Sequence, residues 1–133
     1  MMFTTKTEYG LRALAALAEN SNHQPLSLAQ IAKSERISQS YLEQIFKKLK
    51  NHQIVKSIKG AGGGYLLSRP AKNVTLLKIF EALEGPLAVS YCLGDNNRIS
   101  YSCHGCLTKK IWAELQRDVI KTLGKFKLSD LIK

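Results

Sequence analysis

Cys92, Cys103 and Cys106 are the only cysteines in this sequence. An odd number of closely grouped thiols does not make a disulfide framework and points to a metal or redox site instead. Cys103-His104-Gly105-Cys106 is a CxxC, a spacing that can place two thiolates on one iron–sulfur cluster, with Cys92 as a third. Three thiolates leave one position for another donor, and a weakly held position suits a sensor, because oxygen or nitric oxide can attack it. His104 is the neighbouring donor. The same residues also fit zinc held by three cysteines and a histidine, thiol–disulfide exchange between Cys103 and Cys106, or three unliganded thiols.

A second candidate is SIKGAGGGYLLS at 57–68, which holds four of the nine glycines. A phosphate-cradling loop of the Walker type requires Lys-Ser or Lys-Thr after its last glycine, and here Tyr65-Leu66 follow. A dinucleotide fingerprint counted from Gly60 finds Gly62 in register but Tyr65 where the third glycine belongs, and YLLS alternates like a strand. A hairpin turn fits better, since glycine enters the positive-φ conformations of a tight reversal. Lys56, Lys59 and Arg69 make this hairpin basic.

The elements that must position these residues follow from pattern. Thr5-Lys6-Thr7-Glu8 fits a capping box and opens an apolar helix to about Glu19. Residues 20–25 form a loop. Ser27-Leu28-Ala29-Gln30 is a second capping box, starting a short helix to about Ser34. A tight connection at 35–38 leads to a helix over 39–52, with Tyr41, Leu42, Ile45, Phe46 and Leu49 at helical spacing. Strands over 54–58 and 64–68 form the hairpin. A helix from Thr75 stops at Gly85-Pro86. Residues 87–106 are irregular, and a long helix runs from about Leu107 to Phe126, with a short helical tail. The expected fold is mainly α with a β-hairpin wing: a winged helix-turn-helix at 1–85, a cysteine-containing sensor loop at 86–106, and a dimerisation helix and tail at 107–133.

In that fold the helix over 39–52 enters a DNA major groove and the hairpin lies alongside. Its outer face carries Ser40, Gln44, Lys47, Lys48 and Lys50. Gln44 can contact adenine in bidentate fashion. Ser38 and Ser40 can reach a base or a phosphate, or cap the helix. Glu43 can accept from cytosine or close a capping box with Ser40. Tyr41 packs rather than reads. Gly60 and Gly62 let the wing backbone approach DNA, and Lys59 lies at its tip. The balance of 20 Lys+Arg against 10 Asp+Glu, a formal charge of +10, calls for a polyanionic partner, nucleic acid before membrane. Leu107, Ile111, Trp112, Leu115, Val119 and Leu123 make an apolar stripe that reads as a homodimer seam. No apolar run reaches the length of a membrane span, the first residues do not read as a targeting signal, and no residues group as a catalytic set. A cytoplasmic protein that is not an enzyme is the expectation, with an interaction module acting on an enzyme partner as the alternative class.

KTEYGLRALAALA at 6–18, SLAQIAKSERISQSYLEQIFKKLK at 27–50, IVKSIKGAGGGYLLSRP at 54–70 and CLTKKIW at 106–112 together resemble the Rrf2 family of bacterial winged-helix regulators. The resemblance spans nearly the whole chain. It implies a homodimeric transcriptional repressor on a palindromic double-stranded DNA site. Ser40, Glu43 and Gln44 match the family's base-contacting positions, and Lys59 sits where its wing carries an arginine into the minor groove. It also implies an iron–sulfur cluster, 2Fe–2S or 4Fe–4S, on Cys92, Cys103 and Cys106. Here the middle cysteine is displaced toward the third, and Lys109 occupies a position where some members carry a ligand histidine. Nitric-oxide-sensing members take an acidic ligand from the partner subunit at the position of Glu8, so Glu8 joins His104 as a candidate fourth ligand.

Overall fold

The computed structural model describes residues 3–20, 23–90 and 107–132. Five α-helices and one hairpin follow in the order α1 (Thr5–Glu19), α2 (Leu28–Glu35), α3 (Gln39–Asn51), β1 (Val55–Ile58), β2 (Gly64–Leu67), α4 (Leu76–Glu84) and α5 (Lys109–Lys125), with short 3-10 turns at Ala71–Asn73 and Leu128–Leu131. This is a winged helix-turn-helix with a long C-terminal helix.

Local chemistry sets the helix starts. The box at Ser27 forms as read: Ser27 Oγ accepts from Gln30 N–H at 3.1 Å, and Gln30 Oε1 accepts from Ser27 N–H at 2.8 Å. The first box does not form. Thr4, not Thr5, caps α1, its hydroxyl accepting from Lys6 N–H. The entry of the chain is fixed one residue early because Phe3 packs edge-on against Phe80, 5.3 Å between centroids, and Thr4 Oγ1 donates to Glu84. Ser38 caps α3 through Tyr41 N–H, so Ser40 lies inside the helix and the alternative box with Glu43 is absent. The tail is a single 3-10 turn rather than an α-helix.

α1, α3 and α4 enclose the core. Leu14, Leu42, Phe46, Leu49 and Ile79 are fully buried, and α1 crosses α4 closely enough that Gly10 touches Leu83 where a Cβ would stand. The end of the chain returns to this body. Leu76 N–H donates to Phe126 O at 3.0 Å, Leu128 N–H donates to Val74 O at 2.8 Å, and Leu128 is 0% exposed. Burying one leucine so completely contributes about 1.5–3 kcal/mol, which anchors the last turn of α5 to the start of α4.

The hairpin pairs Val55 with Leu67 and Ile58 with Gly64 in antiparallel register. It also gains a third, one-residue partner that the sequence pattern did not mark: Leu26 and Tyr65 exchange both backbone hydrogen bonds, at 3.0 and 2.8 Å. Phe46 meets Tyr65 at 4.8 Å, so the wing is bonded to the segment before α2 and packed on α3.

Candidate nucleic-acid interface

The buried residues of α3 are Leu42, Ile45, Phe46 and Leu49. The opposite face carries Ser40, Glu43, Gln44 and Lys47, all exposed, at the three- and four-residue intervals that align side chains on one helix surface. This row begins at the tight turn where Arg36, with φ 57° and ψ 47°, ends α2 in a left-handed conformation. Ser38 Oγ lies 2.9 Å from Ser40 Oγ. Tyr41 rests edge-on against Tyr9, 5.7 Å between centroids, and its hydroxyl lies 3.1 Å from Thr5 Oγ1. Tyr41 is therefore a packed residue with its polar end at the rim.

The glycine stretch is the turn of the wing. Gly63 N–H donates to Gly60 O at 3.0 Å, and Gly60 and Gly62 hold φ values of 99° and 75°, a region glycine enters freely. Gly64 has another reason: a Cβ there would collide with Leu26 O and stand 2.7 Å from Ser27 N. Lys59, Gly60 and Gly62 are exposed at the tip. The helix face offers hydrogen-bond donors and acceptors with the cation Lys47, and the wing tip offers Lys59.

A family profile described as "Iron-dependent Transcriptional regulator", Rrf2, matches residues 3–133. The chain belongs to the Rrf2 family of transcriptional regulators. The HTH-type transcriptional regulator IscR of Cereibacter sphaeroides is 38% identical over 136 residues, covering 100% of this chain and 88% of that one. Among solved structures, CymR, the global cysteine regulator of B. subtilis, superposes with a TM-score of 0.80 at 33% identity over 98% of this chain and 95% of that one. T. potens IscR superposes with a TM-score of 0.78 at 30% identity over 98% and 85%.

Within this Rrf2 chain, not every residue of the expected interface faces the same way. Lys48 is half-buried, and its ammonium donates to Leu83 O at 3.3 Å, near the end of α4. Partial burial, then the neighbouring Lys6 ammonium, holds it below the ordinary lysine range, while Glu84 pulls the other way. Lys48 is thus turned toward α4, while Lys47 stays on the exposed face with Ser40, Glu43 and Gln44. Residues that the sequence patterns missed support Tyr41 from behind. Arg12 sits 5.7 Å from the centre of the Tyr9 ring and bonds both the Glu35 carboxylate, at 3.4 Å, and the Glu35 carbonyl. No periodicity signals this set, because its members come from three helices.

The apolar stripe on α5 divides. Leu123 is buried in its own chain, and Val119 packs partly against that core. Leu107, Ile111, Trp112 and Leu115 are exposed by 95%, 63%, 37% and 44%, so the uncovered part of the stripe is the turn before α5 and the first half of that helix. Cys92, Cys103, Cys106 and His104 lie outside the described residues. Glu8 is exposed, and with Thr4 serving as the cap its carboxylate has no hydrogen bond or ion pair among the described residues. No metal-binding group of three or more side chains occurs among the described residues.

Proposed function

We propose that this chain is a cytoplasmic, homodimeric repressor that binds a palindromic double-stranded DNA site through α3 and the wing and responds to an iron–sulfur cluster. The observation that carries the DNA reading is the exposed row Ser40, Glu43, Gln44 and Lys47 beside the glycine-tipped wing with Lys59. Gln44 and Glu43 read base edges, while Lys47 and Lys59 neutralise phosphates or enter the minor groove. Selection from a random duplex pool, followed by binding at rising salt, tests it. No sequence enrichment, or affinity indifferent to salt, would overturn it.

The donor chemistry of three thiolates, Cys92, Cys103 and Cys106, fits a 2Fe–2S or 4Fe–4S cluster with one position left for Glu8 or His104. When bound, the cluster would supply a site open to oxygen or nitric oxide. The chain's own part is linkage. The cysteine segment joins α4 to α5, and Val89 N–H, ahead of it, donates to Gln116 Oε1 on α5 at 3.2 Å. A change in the segment therefore bears on the helix whose exposed half is the candidate seam, and through it on the spacing of two copies of α3. The likeness to a cysteine regulator supports a second reading, a cluster-free or thiol-switching repressor of the same fold. Iron and sulfide content with the visible spectrum after anaerobic purification decides between them. A brown protein that loses its iron in Cys92→Ala, Cys103→Ala and Cys106→Ala supports the cluster, and a colourless metal-free one supports the thiol reading. Stoichiometric zinc would replace both.

A further inference from the structure

We propose that the groove between the start of α1 and the start of α3 seats one backbone phosphate of the bound DNA, with Arg36 and the remaining hydrogen of the Thr5–Tyr41 hydroxyl pair as its donors. The proposal rests on the DNA reading above and names three residues in a positioning role.

The groove has a volume of about 480 Å³ and is lined by Thr5, Tyr9, Arg36, Ser38, Ser40 and Tyr41, with Gln44 at its edge. None of its lining residues is acidic, so nothing in the wall repels an anion. The hydroxyls are already paired: Tyr41 with Thr5 at 3.1 Å and Ser38 with Ser40 at 2.9 Å. In each pair one hydroxyl donates to the other, and the accepting partner keeps a hydrogen of its own to donate to a ligand. The nearest carboxylate on α2, Glu35, is engaged by Arg12 at 3.4 Å. Its neighbour Arg36 has no ion pair among the described residues and is itself one of the residues lining the groove. The Tyr9–Tyr41 contact and the Arg12–Glu35 pair hold the wall in place before DNA arrives. Gln44 borders the same groove, so a phosphate seated there fixes the height at which Gln44 meets the bases. Phosphate contacts set register in this way without carrying sequence information.

One neutral hydroxyl pair and one cation give separable signatures. Counterion release makes the slope of log affinity against log salt shallower by about 0.9 for each cation removed from a phosphate. Neutral hydroxyls release no counterion. The full-length protein is titrated by fluorescence anisotropy with its selected duplex and with a scrambled duplex. Tyr41→Phe and Thr5→Val should each weaken both duplexes about 2- to 10-fold, the equivalent of one hydrogen bond, with the salt slope unchanged. Arg36→Gln should reduce the slope by about 0.9. Thr5→Ser keeps the hydroxyl and should restore wild-type affinity, which a packing role for the Thr5 methyl would not allow. Unchanged affinity in all three variants, or losses confined to the selected duplex, overturns the proposal. Wild-type protein that selects its duplex, with Gln44→Ala relaxing that preference at one base position per half-site, leaves the DNA reading standing in either event.

Discussion

Gln44 and Lys48 stand one helical turn apart on α3 and do different things. Gln44 is exposed at the start of the helix, whereas Lys48 spends its ammonium on Leu83 O. Gln44→Ala should therefore relax preference at one base position per half-site, by about 1–3 kcal/mol, the range for a lost bidentate contact. Lys47→Ala should leave sequence preference intact and flatten the salt slope by about 0.9, while Lys48→Met should leave that slope at its wild-type value. Selection profiles and anisotropy at several salt concentrations check all three. Helical spacing marked the exposed face of α3 well enough to place Ser40, Glu43, Gln44 and Lys47 on it. It could not exclude Lys48, because that lysine borders the same face and is withdrawn by a carbonyl thirty-five residues away in sequence. Thr5 and Arg36 were illegible as site residues for a related reason: each is an ordinary helix-end residue until two helices and a turn bring it beside Tyr41.

At the scale of elements, the wing shows how one run of glycines meets two demands. Gly62 has open space where a Cβ would stand but a φ of 75°, while Gly64 lies against the backbone of Leu26 and Ser27. Gly62→Ala should thus cost about 1–2 kcal/mol through its left-handed backbone alone. Gly64→Ala should also break the Leu26–Tyr65 bridge, with an overpacking cost of about 1–3 kcal/mol, and should expose the Leu26 and Tyr65 amides to faster hydrogen exchange. Urea unfolding and exchange at those two amides separate the cases. The hairpin was legible because its strands alternate and glycines lie between them. The third partner was not, because a single bridging residue has no period to read. The start of α1 was misread in the same local way, whereas those of α2 and α4 were legible. Thr4, Thr5 and Thr7 all suit a cap by type, and the choice falls to Thr4 through long-range contacts of Phe3 with Phe80 and Thr4 with Glu84.

At the scale of the whole molecule, α5 is anchored at one end and bare at the other. Leu123 and Leu128 are buried in the winged-helix body, while Leu107, Ile111, Trp112 and Leu115 leave an apolar surface uncovered. A symmetric seam on that half would set the same surface of each copy against the other across a two-fold axis, each contact occurring twice, and would match a palindromic site. Ile111→Glu combined with Leu115→Glu should then convert dimers to monomers in sedimentation at micromolar concentration, remove the concentration dependence of the melting temperature, and weaken DNA binding. A wild-type monomer under those conditions would rule the seam out. The same assembly bears on the fourth ligand. Glu8 is free of capping duty, so Glu8→Ala should leave helix stability unchanged, and any change it makes in the visible spectrum of anaerobic protein reports ligation rather than unfolding. If Glu8 reaches the cluster of the partner subunit, the double glutamate variant must lose that donor along with its partner. Its spectrum should then match that of Glu8→Ala, although Glu8 itself is intact. If His104 is the donor instead, the monomer should keep the wild-type spectrum and His104→Ala should change it.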